Sequence, residues 1–206
     1  MLEAIGLACV RGERRLFRDL AFSLAPGTLL QVHGPNGSGK TSLLRILAGV
    51  LAPAAGEVRW SGRRIGALGD EYRRQLAYVG HQNAIKDDLS GVENLMVSER
   101  LAGADATVAL ARAALARLGL KGFEDVPTRA LSQGQKRRAA LARLAFRRAC
   151  GLWVLDEPFV ALDATAVREV QALVGDQLAA GGMVVLTTHQ DVAIRAPLQQ
   201  DLRLGT

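Results

Sequence analysis

A glycine-rich segment from Gly34 to Thr41 constrains this chain more than any other part of its sequence. It fits the pattern G-x-x-x-x-G-K-[ST] and lies between a strand-like apolar run, Thr28 to His33, and a run with helical spacing, Thr41 to Val50. Glycines let the backbone curl so that successive N–H groups point at phosphate oxygens, and the following helix adds its positive end. The pattern therefore predicts a phosphate-binding loop made of Gly34, Pro35, Asn36, Gly37, Ser38, Gly39, Lys40 and Thr41.

Two side chains of this loop indicate its ligand. Lys40 is expected to reach the β- and γ-phosphates, and the Thr41 hydroxyl is expected to ligate Mg²⁺. A short pattern can arise by chance, but the strand before it and the helix after it make a purely structural loop a poor explanation. The loop therefore predicts a site for ATP and Mg²⁺.

An acidic pair follows far downstream. The apolar run Leu152 to Leu155 ends in Asp156 and Glu157. Asp156 is expected to hold Mg²⁺ from the side opposite Thr41, through water. Glu157 could polarise the attacking water as a general base. Alone, such a pair is more often a helix cap or a surface pair, and only the phosphate loop upstream favours the catalytic interpretation.

The remaining sequence predicts one α/β domain. Its 206 residues suffice for a single core with a small attached subdomain. Residues 2–33 have the pattern of short strands, whereas Ala, Leu and Arg at helical spacing dominate from Lys86 to Arg148. We therefore expect a core and β subdomain at residues 1–85 and 149–206 and an inserted helical subdomain at about 86–148. Further strands are predicted at Gly56–Trp60, Leu76–Gly80, Leu152–Leu155 and Met183–Thr187, with a helix between the last two that makes them parallel.

Bulk properties restrict where the chain works. No apolar run reaches the roughly 18 residues of a membrane span. The N-terminus has an acid at Glu3 and no apolar core of signal-peptide length. We therefore expect the chain in the cytoplasm. Cys9 and Cys150 lie far apart in sequence and are expected to be buried thiols.

The net charge of +6 has its sharpest cluster between Arg129 and Arg148, where seven residues are Lys or Arg and none is acidic. A solvated helix face explains this cluster about as well as a binding surface does. Nucleic acid is the weaker alternative, because aromatic side chains are not interleaved with the basic ones as stacking platforms.

The segment Leu131 to Gln135 reads LSQGQ and precedes a basic helix. This segment lies between the phosphate-binding loop and the acidic pair, and it resembles the LSGGQ signature of ATP-binding cassette (ABC) proteins. The resemblance to that family covers essentially the whole chain. It implies an ABC ATPase: a P-loop α/β core with a small antiparallel β subdomain and an inserted helical subdomain. Ser132 would begin a helix whose N–H groups bind a phosphate, although Ser132 would also serve as a plain helix cap.

The same resemblance implies roles for further residues. Gln82 matches the glutamine that contacts Mg²⁺ or water and senses a membrane partner. Ala161–Asp163 matches the loop that communicates across a dimer. His189 matches the histidine that hydrogen-bonds the γ-phosphate. Nucleotide contacts are also implied for Ser42, Ser132, Gly134, Gln135 and Asp163.

Two positions depart from the family pattern. Gln133 stands where the signature usually has glycine, although Gly134 is kept. The family has an aromatic residue that stacks on adenine, at a fixed distance in sequence before the loop lysine. Counted back from Lys40, this position is Arg11, whose guanidinium plane could also stack on a base. Phe17 is the competing candidate, but its LFRDL context suggests a core residue.

The resemblance also implies partners. In this family two copies close head to tail and trap two ATP molecules, each between the Lys40 loop of one copy and Ser132 and Gly134 of the other. Closure with ATP and opening after hydrolysis form a two-state motion. Integral membrane subunits would dock near Gln82 and the helical insertion.

Four strings narrow the resemblance to the ATPase subunits of bacterial cytochrome c maturation, which lie on the cytoplasmic face of the inner membrane and act in heme export or heme-chaperone release. They are Gly80–Lys86, Gly122–Pro127, Leu152–Phe159 and Gly181–Gln190. We expect no heme and no nucleic acid bound to this chain. Another transport ATPase, or a cassette acting on ribosomes or DNA, remains the alternative.

Overall fold

Two β-sheets organise the chain in a computed structural model, which describes residues 1–103, 105–146, 150–190 and 192–205. The first sheet is antiparallel and has the strand order β2-β1-β4-β5. Its strands are β1 (Leu2–Arg11), β2 (Arg14–Leu24), β4 (Ala55–Trp60) and β5 (Arg63–Arg64). Three register shifts interrupt the pairing of β1 with β2, and two of them place the extra residue in β2.

The second sheet is parallel and has the order β6-β7-β8-β3-β9. Its strands are β3 (Thr28–His33), β6 (Leu76–Val79), β7 (Leu152–Asp156), β8 (Met183–Thr187) and β9 (Leu198–Arg203). Every residue of β7 and of β8 is buried. Both are short apolar runs because strands in the middle of a parallel sheet are covered on both faces.

Helices cover this parallel sheet. They are α1 (Lys40–Leu47), α2 (Ile65–Leu68), α3 (Asp70–Arg74), α4 (Gly91–Leu101), α5 (Val108–Arg117), α6 (Gln133–Leu141), α7 (Arg143–Phe146) and α8 (Ala164–Ala179), with a 3₁₀ turn at Thr128–Ala130. Ser90 starts α4 through a capping box with Glu93, and Asp163 caps α8 by accepting a hydrogen bond from the backbone N–H of Ala166. Between β6 and β7 the described residues form no strand of their own.

The apolar core divides into two clusters, one on each face of the parallel sheet. Side chains alternate between faces along a strand, so Trp153 and Leu155 of β7 join one cluster while Leu152 and Val154 join the other. The first cluster holds α8 and the helices from α4 to α7, and the second holds α1 and the antiparallel sheet. The inserted helices and the antiparallel sheet therefore pack on opposite faces of one sheet.

The predicted fold class is confirmed, and several elements coincide with their predicted bounds. The bounds of β3 and β8 are identical to the predicted ones. Strands β7 and β8 are connected by α8 and pair in parallel, as predicted. The helix predicted to reach Val50 ends at Leu47, because Gly49 takes a left-handed conformation (φ 70°). Strand β9 was not predicted, because its sequence LQQDLR is polar and its residues remain largely exposed at the sheet edge.

The basic cluster is not the solvated face that its sequence allowed. Arg129 pairs with Asp88 (2.6 Å), Lys136 pairs with Asp87 (2.7 Å), and Arg137 is buried. Acids from a neighbouring segment thus offset charges that look uncompensated in sequence. Arg147 and Arg148 lie outside the described residues.

Two further predictions concern the cysteines and membrane-spanning segments. Cys9 and Cys150 are both buried, as expected. Among the described residues, no helix combines the length and the apolar character needed to cross a membrane.

Candidate functional site

The loops after four strands meet at one edge of the parallel sheet. The carboxyl ends of parallel strands share an edge, and ligands of open α/β sheets bind there. Segments following β3, β6, β7 and β8, together with the start of β2, enclose a cavity of about 730 Å³. It is lined by Arg14, Leu16, Asn36, Gly37, Gly39, Lys40, Thr41, Ser42, His81, Asp156, Glu157, Val160, His189 and Gln190.

The phosphate-binding loop owes its shape to glycines at two positions. A Cβ on Gly34 (φ 146°) would stand 2.5 Å from the carbonyl oxygen of Leu204, so only glycine fits there. Gly39 (φ 102°) is the residue before α1, and no side chain caps that helix, so its first N–H groups can serve an anion. Lys40 Nζ donates to the carbonyl oxygens of Gly34 (2.6 Å) and Pro35 (3.2 Å), which keeps the ammonium group against the loop.

Asp156 ends β7 with a carboxylate that is almost fully buried. Thr187 Oγ1, at the end of β8, donates to Asp156 Oδ1 (2.8 Å). Asp156 Oδ2 is buried and has no hydrogen-bond partner among the described residues. A buried carboxylate oxygen of this kind suits a cation, and the hydroxyl-bearing Thr41 lines the same cavity. The residues present therefore fit Mg²⁺.

Glu157 adopts a strained backbone conformation. Its φ of 49° is left-handed, which costs a non-glycine residue about 1–3 kcal/mol. Three hydrogen bonds hold its backbone: its N–H donates to Thr187 Oγ1 (3.0 Å), and its carbonyl accepts from Arg137 Nη2 (2.8 Å) and from the N–H of Val160 (3.3 Å). The Glu157 side chain is only 14% exposed, and its Oε1 lies 3.4 Å from His189 Nε2. The carboxylate is thus held in the cavity next to a histidine.

A second group of predicted residues gathers around the start of α6. Ser132 caps α6 and forms a capping box with Gln135. A Cβ on Gly134 would stand 2.8 Å from the carbonyl oxygen of Ala161, so the signature segment packs tightly on the loop that precedes Asp163. Neither Ser132, Gly134, Gln135 nor Asp163 lines the cavity around Lys40. Within one chain the predicted residues therefore form two separate clusters.

Most of the remaining predicted residues lie in the cavity lining or in its loop. Thr41, Ser42, Asp156, Glu157 and His189 line the cavity together with Asn36, Gly37, Gly39 and Lys40. Gln82 does not: it is exposed, and its neighbour His81 lines the cavity instead. The bend at these two residues decides which of them faces the site.

Arg11, which was predicted to stack on adenine, lies outside the cavity lining. Arg11 is exposed at the end of β1 and does not line the cavity, whereas Arg14 does. Arg14 Nη1 lies 3.7 Å from the point where a Cβ on Gly37 would stand. Counting residues back from Lys40 ignores two register shifts that add residues to β2 between Arg15 and Leu20, and such bulges re-aim the neighbouring side chains. Phe17 is buried in the core and packs against Gly39, as its sequence context suggested.

Several residues at or beneath the site were not predicted. Leu16, His81, Val160 and Gln190 line the cavity but belong to no charged or glycine-rich pattern. Arg137 lies beneath Asp156 and Glu157 and looked like one member of a basic run. Adjacency to predicted residues was the only available signal for His81 and Gln190.

Comparison with known families identifies one match. The sequence profile of the family described as ABC transporter matches residues 17–160. This range covers well over half of the chain and includes the phosphate-binding loop, the signature segment, Asp156 and Glu157.

Similar proteins extend the match to the full length. A cytochrome c biogenesis ATP-binding export protein CcmA from Dechloromonas aromatica (strain RCB) is 53% identical over 205 residues, which covers 100% of both chains. Proteins of the same name from Nitrosospira multiformis and Pseudomonas aeruginosa are 50% and 49% identical, with coverage of 98% or more of each chain.

Solved structures share the fold at lower identity. A dimeric bacterial ABC transporter cassette, MJ0796, superposes with a TM-score of 0.85 at 24% identity and covers 98% of this chain and 94% of that one. A dimer of the same cassette in a post-hydrolysis state, bound to ADP and Pi, superposes with a TM-score of 0.81 at 24% identity, over 92% of this chain and 88% of that one.

Proposed function

The chain belongs to the ABC transporter family, and from this membership we propose that it is the ATP-hydrolysing subunit of a membrane complex in bacterial cytochrome c biogenesis. The observation that carries the proposal is a full-length similarity near 50% to export proteins named for that process. The cavity at the sheet edge supports it, because an ATPase needs a phosphate loop, a cation ligand and a buried carboxylate together.

ATP binding is assigned to the loop from Gly34 to Thr41. Its backbone N–H groups and the start of α1 would surround the phosphates, and Lys40 would exchange its contacts with Gly34 and Pro35 for phosphate oxygens. Charge-assisted contacts of this kind are stronger than the carbonyl contacts they replace. Thr41 and Asp156 would hold Mg²⁺, which neutralises charge on the transferred phosphoryl group when bound.

Hydrolysis is assigned to Glu157 and His189. The Glu157 carboxylate would accept a proton from the attacking water, and its Oε1, which has no hydrogen-bond partner among the described residues, keeps its lone pairs for that contact. His189 Nε2, 3.4 Å from Glu157 Oε1, would stay near the γ-phosphate and orient the carboxylate. Gln82 would reach the site only after the bend at residues 81–82 rearranges, because it is exposed and outside the cavity lining.

The two separate clusters support a head-to-tail pair of chains. Ser132, Gly134 and Gln135 lie away from Lys40 of the same chain, so they would complete the nucleotide site of a second copy. Ser132 occupies the start of α6, where N–H groups and the helix dipole favour a phosphate. Asp163, next to the signature segment, would contribute at the same interface.

Membrane subunits would bind the chain at the cytoplasmic face of the inner membrane. A groove of about 550 Å³ lies between β6, α3 and the end of α4, one of the helices of the insertion. Exposed Leu101 lines this groove, so an apolar segment of a membrane subunit could pack there. We propose this groove as the docking place for a membrane partner.

Purification from membranes in mild detergent tests the proposed function. We expect the tagged chain to bring down small hydrophobic subunits, and cells without the chain to lose heme-bearing c-type cytochromes on heme-stained gels. Restoration by the unmodified chain but not by Glu157→Gln would tie the defect to hydrolysis. Normal cytochrome levels would refute the biogenesis assignment, and recovery of nucleic acid instead of membrane subunits would refute the transporter assignment.

The adenine end has its own prediction. Arg14→Ala is expected to weaken ATP binding about fivefold, because an exposed guanidinium–base contact is worth about 1 kcal/mol. Arg15→Ala serves as the control, since Arg15 is exposed on the same strand and does not line the cavity. The Kd for ATP would be measured by calorimetric titration for these two variants and for Arg11→Ala. A loss of ATP affinity confined to Arg11→Ala would show that Arg11, and not Arg14, contacts the base.

A further inference from the structure

Arg137 is a buried arginine with four acceptors from two loops. Its side chain belongs to α6, and the residue is only 4% exposed. Nη2 donates to the carbonyl oxygens of Asp156 and Glu157, both at 2.8 Å. Nη1 donates to the carbonyl oxygen of Gly80 (3.0 Å) and to Asn83 Oδ1 (3.3 Å). One guanidinium therefore connects α6, the end of β7 and the segment after β6.

The contact with Glu157 falls on a strained residue. The left-handed backbone of Glu157 persists only when its surroundings hold it. Thr187 holds the N–H side of this residue, and the carbonyl side accepts the short contact from Arg137 (2.8 Å) and a longer one from the N–H of Val160 (3.3 Å). Without the arginine, only the longer contact would hold the peptide after Glu157, and a shift of this peptide would move the carboxylate.

Packing alone does not explain a charged side chain at this place. An apolar side chain of similar length would fill the volume without the cost of removing a guanidinium from water. Burial does lower the pKa of the Arg137 guanidinium, whereas the nearby charges of Asp156 and Glu157 oppose that shift. The planar fork of arginine is the group that can serve two pairs of acceptors at once.

Helix α6 also carries the signature residues at its first turn. Ser132 caps the helix that Arg137 belongs to, and Gly134 packs on the carbonyl of Ala161. The hydrogen bonds of Arg137 therefore connect the helix that begins after Ser132 to the backbone of Asp156 and Glu157.

We propose that Arg137 is a positioning residue for ATP hydrolysis, which fixes the backbone of Glu157 relative to the signature end of α6. The inference rests on the proposed role of Glu157 as general base. It adds a connection within one chain. Helix α6 would contact the nucleotide bound by a second copy, and through Arg137 the same helix would orient Glu157, which acts on the nucleotide bound by its own chain.

The primary test is Arg137→Lys in the full-length chain, purified with its membrane partners where these are needed for turnover. Lysine keeps the charge but lacks the fork, so kcat is expected to fall about 10- to 100-fold, as for a misplaced catalytic group. The Kd for ATP is expected to change less than about threefold, because Lys40 and the loop are untouched. Expressing kcat per ATP-binding site removes unfolded chains from the measurement.

The matched control is Arg112→Lys. Arg112 Nη2 donates to both carboxylate oxygens of Asp125, each at 2.8 Å, but on the surface of the inserted helices. Its replacement is expected to leave kcat within about twofold, since exposed ion pairs contribute little. Equal losses in the two variants would overturn the proposal.

A double-mutant cycle separates positioning from a general structural role. If Arg137 acts through Glu157, adding Arg137→Lys to Glu157→Gln lowers kcat by less than about twofold more. A multiplicative loss would overturn the proposal, and so would a loss of ATP affinity equal to the loss of kcat. An active Glu157→Gln variant would refute the base assignment, whereas an inactive Glu157→Gln beside a fully active Arg137→Lys would refute this inference alone.

Discussion

Replacing Glu157 by glutamine is expected to lower the rate of ATP hydrolysis by about 10²–10⁴-fold, the usual contribution of a general base. Glutamine keeps the size and shape of the side chain but cannot accept the proton of the attacking water. The backbone contacts to Thr187 and Arg137 do not involve the carboxylate and should survive.

Binding should be preserved in the same variant. The residues assigned to the phosphates, from Gly34 to Thr41, are unchanged, so the Kd for ATP should stay within about threefold. Because hydrolysis opens the proposed head-to-tail pair, Glu157→Gln with ATP should also elute as a dimer in size-exclusion chromatography.

The control for this prediction is Glu169→Gln. Glu169 lies on α8 and forms a partly exposed ion pair with Arg117 (3.4 Å), away from the cavity. Its replacement should leave turnover near normal. Near-normal turnover in Glu157→Gln as well would refute the general-base assignment.

Replacing Lys40 by methionine is the second prediction with a large effect, and it should affect binding and hydrolysis together. A hydrogen bond from a charged group contributes about 1.5–3 kcal/mol, so the Kd for ATP should rise about 10- to 100-fold. Loss of a positive group that stabilises the transition state should lower kcat by about a further 10²–10³-fold.

Methionine suits this test because it keeps the length of the aliphatic stem. The unfolding temperature without nucleotide should change little, since the replaced contacts are two hydrogen bonds to loop carbonyls. Lys121→Met, at an exposed position, is the control and should bind ATP normally. A Lys40→Met variant with unchanged ATP affinity would refute the assignment of ATP binding to the loop from Gly34 to Thr41.

The two variants together distinguish two steps of one site. Glu157→Gln should separate binding from hydrolysis, whereas Lys40→Met should weaken both. This difference follows from their positions: Lys40 lies at the phosphate loop after β3, and Glu157 follows β7, two strands away in the sheet.

Sequence reasoning was most effective where local chemistry is restrictive. The glycine-rich loop, the acid pair after an apolar strand and the capping serine of α6 each require specific residue types at fixed spacing. The structure has a loop, a strand end and a helix start at these three places. Buried parallel strands such as β7 and β8 could also be predicted from the sequence, because short continuous apolar runs are typical of strands that are covered on both faces.

Sequence reasoning was weakest where side-chain direction depends on irregular backbone. A count along the chain selected Arg11, whereas Arg14, the first residue of the irregular strand β2, lines the cavity. The bend after β6 likewise leaves His81 rather than Gln82 in the cavity lining. In both cases a nearby residue lines the cavity in place of the predicted one, and no local pattern encodes this difference.

The phosphate-binding loop illustrates what the sequence by itself determined: the kind of ligand, since backbone N–H groups and one lysine bind phosphate wherever the pattern folds. Only the tertiary structure decided that His81 rather than Gln82 lines the cavity and that Arg137 is an internal anchor. The physical reason is that spatial neighbours across β6, β7 and α6 are set by sheet order and packing. Asp156 and Arg137 are distant in sequence, yet their contact exists only because β7 ends beneath α6.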